Sequence, residues 1–129
     1  MLYKGINIEE RKPIWLALSD FYLDTELQES DFVSITSLII ESPYTLEEVE
    51  RINKFEVFPV LHTNLLSVSG VWSGFDKEWL VQRIIDSLAK RNIIKKLVIR
   101  VQYRIFKRMY KEYWKKLKDT YNQKKKTKT

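Results

Sequence analysis

Apolar residues recur at intervals of three and four along most of this chain, the period of a helix with one buried face. Pro13 suits the first turn of a helix, where its missing N–H costs nothing, and Ile14, Trp15, Leu18, Phe21 and Tyr22 follow at helical spacing. This helix should end near Leu23, with Asp24 or Thr25 as the next cap. A second helix is expected over Glu26–Glu41, with Phe32, Ile35, Leu38 and Ile39 on one face. Ser42-Pro43 stops it, because the residue before proline is pushed out of the helical region. Thr45-Leu46-Glu47-Glu48 reads as a capping box that opens a third helix, with Leu46, Val49 and Ile52 as its buried stripe.

The period is lost between Phe55 and Phe75. Pro59, Gly70 and Gly74 interrupt it, and Leu66, Val68 and Trp72 fit a short extended segment no better than a turn-rich loop. This segment is expected to be irregular. Asp76 then caps a fourth helix carrying Trp79, Leu80, Ile84 and Leu88. Asn92 marks a break, and Ile93–Tyr121 is helical beyond it, with Ile94, Leu97, Val98, Val101, Ile105, Met109, Tyr113 and Leu117 as its apolar stripe. Such a helix is about 43 Å long, whereas a domain of this size has a radius of gyration of only about 14 Å. It must bend, break or project. Residues 122–129 carry no apolar side chain and predict a disordered basic tail. The expected fold is mostly α: a single helical domain over residues 1–121, of four to five helices, with the irregular Phe55–Phe75 segment and a long basic C-terminal helix.

An apolar content of 44%, with 4 Trp, 7 Tyr and 6 Phe, suffices for a real core. The absence of cysteine removes disulfides, thiolate metal sites and a cysteine nucleophile. The start, MLYKGINIEERK, has acidic residues where an export signal has its apolar stretch, so a cytoplasmic location is expected. The longest uncharged run, Val57–Phe75, contains Pro59, His62, Thr63, Asn64, three Ser and two Gly, and does not read as a transmembrane span.

Charge is divided unequally. Residues 1–60 hold 5 Lys/Arg against 12 Asp/Glu, and residues 61–129 hold 18 against 5. Such asymmetry speaks about partners, not chemistry. On the basic helix, Arg100, Arg104, Lys107, Arg108, Lys111, Lys115, Lys116 and Lys118 alternate with Tyr103, Phe106, Tyr110 and Trp114. Cations that track phosphates and rings that stack on bases are what single-stranded nucleic acid binding uses. The same pattern serves a membrane surface or a partner's groove. It also serves a helix whose rings are core and whose lysines are solvated, or one that neutralises the acidic surface of residues 20–56. That surface (Asp20, Asp24, Glu26, Glu47, Glu48, Glu50) could face a basic partner, but its spacing does not match a calcium loop. His62, the single histidine, has no recognisable nucleophile or orienting group, so a structural hydrogen bond is the simpler expectation. No phosphate loop, dinucleotide fingerprint or nucleophile elbow occurs.

Three blocks, Trp15–Leu27 (WLALSDFYLDTEL), Glu41–Glu48 (ESPYTLEE) and Asn64–Phe75 (NLLSVSGVWSGF), resemble a family of small bacterial proteins of unknown function over roughly residues 11–85. Ser69 and Val71 stand where that family has Ala and Glu, and the long basic helix lies outside the resemblance. The resemblance implies a bacterial, cytosolic, helical domain and no particular activity. The function expected is non-enzymatic binding of another protein of opposite charge, as in immunity or antitoxin proteins, without cofactor or metal. The alternative is nucleic acid binding through Arg100, Arg104, Lys107, Arg108, Lys111 and Trp114. An enzyme built around Asp20, Asp24, His62 and Trp72 is the third reading.

Overall fold

A computed structural model describes residues 2–3, 5–23, 27–66 and 75–127. The Asp24 and Glu26 of the expected acidic face, and the Val68–Trp72 stretch with its glycines, lie outside the described residues. A two-strand antiparallel hairpin opens the chain, β1 (Leu2–Tyr3) paired with β2 (Ile6–Asn7), with Gly5 at φ +82° in its turn. Six α-helices follow among the described residues: α1 (Ile8–Ser19), α2 (Glu29–Glu41), α3 (Leu46–Ile52), α4 (Phe58–Leu66), α5 (Lys77–Ala89) and α6 (Ile93–Thr127). They form a single compact all-α domain.

Several boundaries follow from side chains named above. Thr45 accepts from the Glu48 N–H at 3.1 Å while Glu48 accepts from the Thr45 N–H at 3.0 Å, the reciprocal capping box. Asp76 accepts from the Trp79 N–H at 2.9 Å, and Asn92 from the Lys95 N–H at 2.8 Å. Other boundaries differ from expectation. α1 begins at Ile8, five residues before Pro13, because Asn7 caps it by accepting from the Glu10 N–H at 3.2 Å. Asn7-Ile8-Glu9-Glu10 has the spacing of a helix start. Pro13 sits inside the helix, exposed, and the Glu9 carbonyl that it cannot serve belongs to an exposed turn. α2 begins at Glu29, where the Gln28 N–H donates to Asp31 at 2.7 Å.

The expectation of an irregular Phe55–Phe75 segment is corrected over its first half. Residues 53–66 are helical: a π-helical turn, Asn53–Val57, joins α3 to α4 without a break, and the Phe58 N–H reaches back five residues to the Asn53 carbonyl. The extra residue turns everything after it by about 100°. Phe58 and Leu61 are thereby brought to the same core as Val49, Ile52 and Val57, all at most 3% exposed. A sequence search at a constant period of 3.6 loses phase at this point. Pro59 is tolerated because the Phe55 carbonyl, four residues back, is taken by the Arg91 guanidinium.

α6 does not break. It is one helix of 35 residues, about 52 Å long. It runs in the same direction as α2. Tyr113 meets Leu27 and Phe32, Lys116 meets Glu29, and Lys124 meets Ser37. Residues 122–127, expected to belong to a disordered tail, continue the helix, where lysines favour the C-terminal end of its dipole. The buried face of α6 is Ile99, Tyr103, Leu117 and Tyr121. Of the apolar stripe read from the sequence, Ile94, Leu97, Val98, Val101 and Ile105 are 49% to 72% exposed, and Leu117 is fully enclosed. The stripe is a real periodicity, but on the face turned away from the core.

The two faces of α6 should therefore respond differently to truncation. Leu117→Ala should cost about 2–5 kcal/mol in chemical denaturation, as buried leucines do. Leu97→Ala should stay within about 0.5 kcal/mol. Equal losses would contradict this orientation of the helix.

Candidate functional site

The π-turn carries two polar side chains into the core, Asn53 at 1% and Glu56 at 8% exposure. Each is satisfied by neighbours from distant parts of the chain, as buried polar groups must be. The Tyr22 hydroxyl donates to the Asn53 Oδ1 at 2.6 Å, and the Asn53 Nδ2 approaches the Tyr103 hydroxyl at 3.5 Å. Burial pushes the Tyr103 phenol up to about 12, against a smaller opposing effect of that contact, so it stays protonated. The Trp15 Nε1 donates to Glu56 at 2.8 Å, and the Arg11 guanidinium lies against both oxygens of the same carboxylate. The Arg11 Nε donates to the Tyr44 hydroxyl at 3.0 Å. Burial alone would lower the Arg11 guanidinium; the hydrogen bond and charge of Glu56, then Tyr44, outweigh it and raise it.

Arg91, at the α5–α6 junction, is half-buried beside this cluster. Its guanidinium donates to the Phe55 carbonyl and to the Ser87 Oγ. Burial holds its pKa below the usual arginine value, offset only in part by the charge of Glu56. Arg11, Tyr44, Arg51, Phe55, Glu56, Arg91, Lys96 and Arg100 help to line one cleft of about 500 Å³.

The residues named from sequence are distributed as follows. Glu47 and Glu50 line a second groove, of about 560 Å³, together with Arg51, Lys54, Arg100, Arg104 and Lys107. The Lys107 Nζ is 3.7 Å from the Glu50 carboxylate, and Lys116 is 3.6 Å from Glu29. Part of the basic helix thus lies against the acidic surface of the first half. Both pairs are exposed and contribute little to stability. Glu48 is held low by the hydrogen bonds of its cap with Thr45. Arg108 and Lys111 are exposed. Trp114, expected at a partner surface, is half-buried, with its ring edge-on to Phe21 at 5.5 Å. It lies on the same side of α6 as Leu117 and Tyr121, which are core. His62 is bonded to the Phe58 carbonyl at 2.9 Å and stacked on the Phe58 ring at 4.8 Å. Among the described residues, no group of three His, Asp or Glu side chains could hold a metal, and no helix is long and apolar enough to cross a membrane.

Asp20 is half-buried at the end of α1. Burial raises its carboxyl above the ordinary 3.8, and the charge of Asp31 adds to this. It is a partly buried acid at the core edge rather than a free surface charge.

Sequence reading did not single out Arg11, Asn53, Glu56 or Arg91. Glu56 and Asn53 fall on the apolar positions of a helix that continues α3, and a polar residue in such a position is the signal that was available.

These features define an all-α domain with a buried ion pair at its centre and charged grooves along α6. A family model for a domain of unknown function (DUF7079) matches residues 9–120, and the chain belongs to that family. No curated protein and no solved structure matches it.

Two substitutions check the cluster. Glu56→Ala leaves Arg11 without its carboxylate, and equilibrium unfolding should show a loss of about 3–5 kcal/mol. Asp20→Asn should raise the melting temperature at neutral pH. Because the folded pKa lies above the unfolded one, wild-type stability falls as pH rises from about 3.8 through the raised value. The advantage of the Asn variant should therefore vanish in acid below that window; a constant advantage at all pH values would refute the assignment.

Proposed function

We propose that this protein is a non-enzymatic binding module of the bacterial cytosol whose partner is another protein, in the manner of immunity or antitoxin proteins. The observation that carries this reading is the outward face of the first half of α6. Ile94, Val98, Val101 and Ile105 follow at intervals of four, three and four, the spacing of a helix–helix seam, with Ile93 and Leu97 beside them. All six are between 49% and 78% exposed. Singly exposed apolar residues need no explanation, but a contiguous strip does. The outward face turns polar after Ile105, at Arg108, Glu112, Lys115 and Asp119, so the strip has an end as well as an edge.

Its charge environment selects the occupant. Lys95, Lys96, Arg100 and Arg104 border the strip, and no carboxylate occurs between Asp86 and Glu112. A second α6 laid along the first would add cations to cations. A helix with an apolar seam bordered by carboxylates fits both the strip and its charge. The nucleic acid alternative has less support, because Tyr103 and Trp114 are turned to the core and do not offer their faces to bases.

The test uses a designed helical peptide with leucines at seam positions and glutamates beside them. It should bind the full chain, with the affinity falling at least about tenfold in Val98→Glu/Val101→Glu. Preference for phosphatidylglycerol vesicles over the peptide would make the strip a membrane-surface helix and overturn the reading. So would single-stranded DNA binding at physiological salt with a steep counterion slope. A dimer in sedimentation that the same variant dissolves would overturn it too.

A further inference from the structure

We infer that the cleft between the π-turn, α1, α3 and the α5–α6 junction is a binding site for a phosphorylated small molecule. Five cations line it, Arg11, Arg51, Arg91, Lys96 and Arg100, against two carboxylates, Glu48 and Glu56. Both carboxylates are already engaged. Glu56 is held by Arg11 and Trp15, and Glu48 caps α3. One cation, Arg11, is compensated in turn. Among the described residues no carboxylate lies within ion-pair distance of Arg51, Arg91, Lys96 or Arg100.

Arg91 is the informative member. A half-buried guanidinium forgoes solvation, and such groups are normally paired with an anion. Here the Phe55 carbonyl and the Ser87 hydroxyl fix its plane and leave it short of a counter-charge. Arg51, Lys96 and Arg100 reach the same space from the exposed side. Three arginines in this group offer planar forks, which match phosphate oxygens two at a time, and the uncompensated charge suits a group carrying two or three negative charges. The volume of about 500 Å³ is that of an ordinary small-ligand site, larger than a lone inorganic ion requires. Phe55 and Tyr44 supply apolar wall, each already faced by a cation, Arg100 and Arg11 respectively.

Calorimetric titration of the full chain at physiological ionic strength, with pyrophosphate, ADP and citrate as separate probes, tests this. Saturable one-to-one binding of pyrophosphate or ADP is expected. Tighter binding of ADP identifies a nucleotide, and equal binding identifies the phosphate group alone as what is recognised. Arg91→Met should weaken binding at least about tenfold. Because that variant also loses the contact with the Phe55 carbonyl, the exposed pair Lys96→Gln/Arg100→Gln serves as a second test and should weaken binding comparably. Lys111→Gln/Lys115→Gln, on α6 outside the cleft, should leave it unchanged. The inference fails if no probe saturates, if citrate binds as well as pyrophosphate, or if both lysine-containing pairs weaken binding equally, since the last would reflect the diffuse charge of the helix.

Discussion

The Glu56 carboxylate, enclosed between Arg11 and Trp15, is the interaction on which the rest of the arrangement depends. A carboxylate in a core is tolerable only when a cation and further donors come to it. Here they come from α1, and the neighbouring contacts bring in the loop before α3 through Tyr44 and the α5–α6 junction through Arg91. The hydrogen bonds of Asn53, one helical turn earlier, add the end of α1 and the middle of α6. Apolar packing supplies most of the free energy but is indifferent to direction. The polar contacts are directional, and they set which helix lies against which.

Much of this was legible in the residues. The helical class, the capping box at Thr45, the cap at Asp76, the break at Asn92 and the stop at Ser42-Pro43 all rest on local chemistry, and local chemistry is what a sequence displays. The rest was hidden because periodicity reports a face but not what covers it, and only while its phase holds. On α6, Ile94 through Ile105 made a good stripe, yet the helix buries the opposite side through Ile99 and Tyr103. At the π-turn one additional residue shifted the phase, and Pro59 gave an apparent reason to abandon the helix. The Arg11–Glu56 pair, 45 residues apart, left no local trace. Of the expected acidic face, Glu50 meets Lys107 of α6 and Glu47 lines the same groove, while Asp20 is half-buried at the core edge.

α6 therefore performs two tasks on two sides. Its inner side closes the domain with Tyr103, Leu117 and Tyr121, and its outer side presents aliphatic residues over its first half and charges over its second. The inner side is set by the fold. The outer side could have been made polar throughout at no cost to packing, and the contrast between its halves is the feature that the proposed partner accounts for.

The parallel pairing of α2 with α6 also bears on the order of events at the ribosome. α2 is synthesised early, and its Phe32, Ile35 and Ile39 are among the most enclosed residues of the finished protein. The helix that covers it is made after all the other described elements. During translation the acidic first half must wait, with an apolar surface uncovered and Glu56 lacking the nearby charge of Arg91, until α6 has left the exit tunnel. Nascent chains in that condition are open to wrong associations, and the 12 acidic against 5 basic residues of residues 1–60 give them mutual repulsion during the interval.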